Sequence, residues 1–132
     1  MIITLLKKYG ISIALCAFIL VLCFMDTAEL PDAPMTNFDK LVHLLMFMGL
    51  SGVVFFDNTN YLRTAVSRQR IFWSSFSFPV VFSGAIEIMQ EYLTTTRTGD
   101  WMDFLFDTIG AFIGLVICVL INHSLRTKER KR

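Results

Sequence analysis

The chain has 132 residues, of which 55% are hydrophobic and 17% are charged, and its mean hydropathy is +0.59. An ordinary soluble domain of this length does not combine so much apolar sequence with so little charge, so the composition predicts a membrane protein. The formal net charge of +1 gives no sign of a nucleic-acid partner, and we assign none.

Four long apolar stretches predict four transmembrane helices, at about 6–25, 38–57, 70–92 and 101–124. Pro31 and Pro34 predict an irregular connection after the first helix, and the polar run 57–60 predicts a turn after the second. Pro79 predicts a kink inside the third helix, with the freed carbonyl satisfied by a neighbouring helix. We expect the whole chain to form one transmembrane domain that ends in a basic cytoplasmic tail, 125–132.

The charges around these helices indicate their orientation. Five segments flank the four helices, and three of them are basic. These contain Lys7 and Lys8, then Arg63, Arg68 and Arg70, and finally the run 126–132. The connections 26–40 and 91–100 are acidic or mixed. By the positive-inside rule, we predict an all-α membrane protein with four transmembrane helices and cytoplasmic N- and C-termini.

The fourth predicted helix carries a stripe of acids followed by glycines. Asp100, Asp103, Asp107, Gly110 and Gly114 follow one another at spacings of three and four residues. In an α-helix this spacing puts all five on one face. Acids within a membrane segment almost always face the protein interior, and glycines let a neighbouring backbone come close. The stripe therefore predicts a packed seam with polar groups at one end.

Two other helices bring ionisable residues to the same depth, at the ends that this topology places outside. The second helix begins with Asp39, Lys40 and His43, and the third ends with Glu87, Gln90 and Glu91. Most of these repeat at i, i+3 or i, i+4, so they share a helix face. Together with the aspartates of the fourth helix they predict a polar site in the outer leaflet. The inner-leaflet halves are expected to be nearly free of such groups.

The predicted site has more acids than bases. Six acids stand against two fixed bases and one histidine, and carboxylates at low dielectric cannot all remain ionised without compensation. A proton, a divalent metal or a cationic group of a ligand could balance them. Because only one histidine lies in the predicted site, we assign no metal and no cofactor. The candidate catalytic residues are His43, Glu87, Asp100 and Asp103. The candidate ligand-binding residues are Asp39, Lys40, Gln90, Arg97 and Asp107.

The ordered set of these residues resembles the VanZ-like family, small bacterial membrane proteins named for an accessory teicoplanin-resistance protein. The motifs are Asp39-Lys40-x-x-His43, Glu87-x-x-Gln90, and Arg97-x-x-Asp100-x-x-Asp103 followed by Gly110 and Gly114. This chain has Asp107 where the family usually has Asn, and Phe47 where Tyr is common. The resemblance implies the bacterial cytoplasmic (inner) membrane, a site on its outer face, and a lipid-linked cell-envelope component as ligand, with a contribution to teicoplanin tolerance.

Three classes of function remain open on the sequence. The leading hypothesis is a multi-pass membrane protein that binds or modifies a lipid or lipid-linked envelope molecule. In its enzymatic version a carboxylate works with His43 as general acid and base, while Lys40 and Arg97 hold an anionic head group. The alternatives are a non-enzymatic small transporter or channel subunit, which would favour homo-oligomers, and a structural membrane scaffold.

Overall fold

The computed structural model describes residues 2–25, 38–61, 67–94 and 99–131. All regular structure in these ranges is helical. We name the helices α1 (Ile2–Phe24), α2 (Phe38–Tyr61), α3 (residues 68–93) and α4 (Trp101–Arg130). Each contains a segment long and apolar enough to span a membrane: Leu6–Phe24, Phe38–Thr59, Gln69–Leu93 and Trp101–Lys128. The predicted all-α membrane fold with four transmembrane helices is confirmed, while the cytoplasmic location of both termini stays a prediction.

The bundle exposes apolar side chains and encloses polar ones. All four helices carry exposed large hydrophobic residues, such as Phe18, Leu45, Val81 and Leu120. The buried polar residues are Ser12, His43, Ser51, Asp57, Asn58, Ser75, Ser83, Glu87, Gln90 and Asp107. Hydrocarbon offers no hydrogen bonds, so a membrane protein must satisfy its polar groups internally. The distribution is therefore the one that a lipid environment requires.

An apolar core lies between the two buried ionisable residues of α2, His43 and Asp57. His43 lies near the start of the helix and Asp57 near its end, about 21 Å apart at 1.5 Å per residue. Between them, Phe47, Leu50 and Val54 are buried against α1 and α3. The bundle thus has two polar ends, which we call the His43 end and the Asp57 end.

The glycines of the stripe bring α4 into backbone contact with α2. A Cβ on Gly110 would collide with the carbonyl oxygen of Leu44, and one on Gly114 with that of Met48. The contacts follow the same order along both helices, from Gly110 with Leu44 to Gly114 with Met48, so α2 and α4 run parallel. The close packing predicted from these glycines is confirmed.

A π-helical turn lies directly before Pro79 in α3. The third helix consists of Arg68–Phe72, the π-helical segment Trp73–Ser77, and Phe78–Leu93. Because Pro79 has no N–H, the carbonyl of Ser75 loses its helical partner. Ser51 Oγ on α2 donates to that carbonyl at 2.7 Å. The prediction that a neighbouring helix would satisfy the freed carbonyl is confirmed.

The turn predicted at 57–60 is wrong, because α2 continues through it to Tyr61. Asp57 and Asn58 are buried and receive hydrogen bonds from α1, with Ser12 Oγ 2.7 Å from Asp57 Oδ2 and Tyr9 Oη 3.0 Å from Asn58 Oδ1. These tertiary contacts override the turn preference of the isolated residues.

The irregular connection predicted at residues 31 and 34 lies outside the described residues. The fourth helix continues past residue 124 to Arg130, so most of the basic tail is helical.

Gly110→Ala and Gly114→Ala are expected to loosen the seam between α2 and α4, because the added methyl group would meet a backbone carbonyl that cannot rotate away. Overpacking of this kind typically costs about 1–3 kcal/mol. Gly49→Ala is the matched control, since nothing lies within 4 Å of its added carbon. Thermal unfolding in detergent micelles measures the difference. Equal midpoints for the three variants would contradict the seam.

Candidate functional site

Lys40 connects the start of α2 to the start of α4. Its Nζ lies 2.8 Å from Asp100 Oδ2 and 3.1 Å from Asp103 Oδ1. Asp100 is also the N-cap of α4, since its Oδ1 accepts a hydrogen bond from the backbone N–H of Met102 at 2.8 Å. The hydrogen bond from Lys40, followed by that from Met102, holds the pKa of Asp100 below its usual range. Asp100 therefore holds the end of the helix and neutralises part of the Lys40 charge.

His43 and Asp107 join three helices inside the bundle. His43 is 2% exposed, and its Nδ1 lies 3.1 Å from Asp107 Oδ1. Its Nε2 faces Asp103 Oδ2 at 3.9 Å. From α3, Ser83 Oγ donates to the other Asp107 oxygen at 2.6 Å. Asp107 is thus the buried point at which α2, α3 and α4 meet.

Glu87 on α3 holds the segment that leads into α4. Its Oε2 accepts a hydrogen bond from the backbone N–H of Asp100 at 2.8 Å, whereas its Oε1 is buried without a hydrogen-bond partner. Gly99 permits this approach, because a Cβ there would lie 2.7 Å from the backbone oxygen of Glu87. Glu91 Oε2 accepts from the Gly99 N–H at 3.1 Å. Two glutamates of α3 therefore fix the entry to α4.

A cleft of about 490 Å³ opens beside these glutamates, between α3 and α4. Its lining residues are Gly84, Glu87, Ile88, Glu91, Tyr92, Gly99, Asp100, Trp101 and Phe104. Three of them are carboxylic acids, and most of the others are apolar or aromatic. A Cβ added at Gly84 would meet the ring of Phe104 in ordinary van der Waals contact, at 3.4 Å. The cleft combines apolar walls with an acidic polar side.

The structure brings most of the residues predicted for the site together, with two exceptions. Lys40, His43, Glu87 and the three aspartates of α4 form one connected network, and Asp39 lies beside His43 and Asp103. Gln90 does not join them. Its Nε2 donates to the backbone oxygen of Cys23 on α1 at 2.8 Å, which makes it an interhelical contact. Arg97 lies outside the described residues.

Two groups of side chains within this network have the spacing to hold a metal ion. One consists of Asp39, His43 and Asp103, and the other of His43, Glu87 and Asp107. In each group, one ligand atom from every residue lies within 4.8 Å of the others. All three members of the second group are buried. Histidine nitrogen with carboxylate oxygen is a donor set that divalent transition metals accept.

Several residues that lie at polar sites in the structure have no distinctive signal in the sequence. Ser83 has no motif of its own, although it lies one helical turn before Glu87 on the same face of α3. At the other end of the bundle, Asp57 accepts from Ser12, and Asn58 Nδ2 donates to Ser74 Oγ at 3.1 Å. A second set of buried polar groups, in which Asp57 is the ionisable member, therefore lies at the Asp57 end, away from the predicted site.

The model of the VanZ/LLP1 family matches residues 9–122, which include α2, α3, most of α1 and α4, and the whole network. The chain belongs to the VanZ/LLP1 family. No curated protein and no solved structure gives a significant match to it. The site of this VanZ/LLP1 protein must therefore be interpreted from its own geometry.

Asp100→Ala is expected to destabilise the protein by about 1 kcal/mol through loss of the N-cap of α4. Asp100→Asn keeps a capping oxygen and loses only the charge, so it should cost less. Because the folded pKa of Asp100 is lowered, the contribution of the charge is present above the ordinary carboxyl pKa of 3.8 and is lost as the pH falls through the folded value. Thermal unfolding in detergent from neutral to acidic pH measures both effects. Equal losses for the two variants at every pH would contradict these roles.

Proposed function

We propose that this VanZ/LLP1 protein binds a membrane lipid or lipid-linked cell-envelope molecule whose head group donates hydrogen bonds. The observation that carries the proposal is the cleft between α3 and α4, with its acidic side and apolar walls. Small-molecule sites usually combine apolar walls with a few convergent polar groups. A lipid reaches such a cleft directly from the bilayer, because both helices that form it have membrane-spanning length.

The walls of the cleft suit an acyl or polyprenyl chain. Ile88 on α3 is 62% exposed, and Tyr92 and Trp101 are more exposed still. Tyrosine and tryptophan favour the membrane interface, where one end of a ring meets hydrocarbon and the other meets polar groups. These residues support a ligand whose polar head lies beside the acids and whose chain remains in the bilayer.

The polar side of the cleft favours a head group that donates rather than accepts. Glu87, Glu91 and Asp100 line it, and carboxylates accept hydrogen bonds. Lys40, which the sequence suggested as a partner for an anionic head group, is already bound by two aspartates. Sugar hydroxyls or a primary amine therefore fit the described residues better than a bare phosphate. No serine, threonine or cysteine lines the described cleft, which favours binding over covalent catalysis.

A site of this kind on the outer face of the cytoplasmic membrane would meet lipid-linked envelope intermediates. Their retention or shielding at the cleft is the route by which we propose that this protein contributes to teicoplanin tolerance. The proposal keeps the orientation predicted from the basic flanks, with the His43 end outside.

The lipid preference can be measured through Trp101. The chain has two tryptophans, so Trp73→Phe leaves Trp101 as the single reporter in the cleft. In mixed micelles, its emission should respond to phosphatidylethanolamine and to a polyprenyl-linked disaccharide. Phosphatidylcholine of the same chain length cannot donate a hydrogen bond, and we expect it to bind at least about tenfold more weakly. Equal affinity for all three lipids would contradict the proposed head-group selectivity.

Ile88→Phe should obstruct the cleft and weaken this response, whereas Leu120→Phe should not. The two positions are matched, since both are apolar and 62% and 63% exposed, and Leu120 lies outside the cleft. The same pair tests antibiotic tolerance in a teicoplanin-susceptible bacterium. The unaltered protein and the Leu120→Phe variant should both raise the minimal inhibitory concentration of teicoplanin, whereas Ile88→Phe should not. If both variants raise it equally, the cleft has no part in tolerance.

The orientation has its own test in a variant with Cys16, Cys23 and Cys118 replaced by alanine. A cysteine introduced at Arg97 should react with a membrane-impermeant maleimide added to intact cells, and one introduced at Arg126 should react only after lysis. The reverse labelling pattern would place the cleft on the cytoplasmic side and remove the envelope ligands from its reach.

A further inference from the structure

One oxygen of each buried carboxylate at the His43 end is held in place by a hydrogen-bond donor. Ser83 donates to Asp107 Oδ2, and the backbone N–H of Asp100 donates to Glu87 Oε2. The remaining oxygens are Asp107 Oδ1, beside His43, and Glu87 Oε1, which is buried and has no partner. A buried oxygen without a partner is costly and requires an explanation.

The surroundings of these atoms resemble the outer shell of a metal site. Ligating carboxylates are normally fixed by hydrogen bonds to their second oxygen, as Ser83 and the N–H of Asp100 do here. A ligating histidine normally turns its other nitrogen toward a carboxylate, and His43 Nε2 faces Asp103 at 3.9 Å. Hydrogen bonds thus orient both carboxylates of the buried group, while Asp103 faces the second nitrogen of His43 at more than hydrogen-bond distance.

We propose that His43, Glu87 and Asp107 bind a divalent transition-metal ion, Zn²⁺ or Mn²⁺. Their ligand atoms lie within 4.8 Å of one another, and all three residues are buried. One nitrogen and two carboxylate oxygens suit these ions, and the two acids would neutralise the ion within a low-dielectric interior. The ion would give Glu87 Oε1 the partner that the protein does not supply.

The buried group is a better site than its neighbour of Asp39, His43 and Asp103. Asp39 is exposed, and one oxygen of Asp103 already pairs with Lys40 at 3.1 Å. Glu87 belongs both to the buried group and to the lining of the cleft, so we expect an ion to enter from the cleft. The inference goes beyond the proposed function, because the ion would bind with or without a lipid.

Metal uptake by the full chain tests the inference. The protein is purified in detergent through a tag without histidine, treated with chelator, and dialysed against ZnCl₂, MnCl₂ or MgCl₂. We expect one Zn²⁺ or Mn²⁺ per chain and no uptake of Mg²⁺. His43→Gln and Glu87→Gln should weaken binding by at least about tenfold, while His123→Gln, at an exposed position on α4, should bind as the unaltered protein does.

X-ray absorption identifies the ligand even if His43→Gln fails to fold. The chain has two histidines, so a single imidazole signature that persists in His123→Gln must come from His43. Absence of stoichiometric uptake by the unaltered protein, or loss of the imidazole signature in His123→Gln, would overturn the inference. Because uptake is measured without added lipid, either result leaves the lipid experiments to decide the proposed function separately.

Discussion

The parallel seam between α2 and α4 is the contact on which the rest of the structure depends. Its polar half pairs Lys40 and His43 with the aspartates of α4, and its apolar half sets Gly110 and Gly114 against the α2 backbone. Each half needs the other. Without the glycines the helices could not approach closely enough for short ion pairs, and without the pairing the acids would be buried at a large cost in free energy.

The contacts of Asp107 explain what its carboxylate adds over an amide at this position. One oxygen accepts from Ser83 while the other faces the His43 ring. An amide would present one acceptor and one donor, so it could face a neutral imidazole nitrogen but could not help to compensate a positive charge. The carboxylate therefore suits a protonated histidine or a bound cation at this point.

The sequence predicted the features that depend on helical periodicity, because long apolar runs and spacings of three and four residues leave few alternatives in a membrane. The four helices and the glycine seam are of this kind. Gln90 and Asp57 show the limit. Gln90 is three residues from Glu87, but its side chain points toward α1 and donates to a backbone carbonyl there. Asp57 lies in a part of α2 that a hydrogen bond from Ser12 holds in place. Ser83 and the cleft depend on which faces meet, and periodicity alone does not determine that.

The excess of acids links the two proposals. Among the described residues of the site there are six acids, and only Lys40 and His43 carry or can gain a positive charge. Lys40 forms ion pairs with both Asp100 and Asp103. Glu87 borders both the buried group and the cleft, so its charge acts on both. An ion bound to Glu87 would lower the negative potential in the cleft and weaken the attraction for an amine head group. It would affect neutral sugar hydroxyls less, so occupancy by metal would shift the preference of the cleft from amines toward sugars.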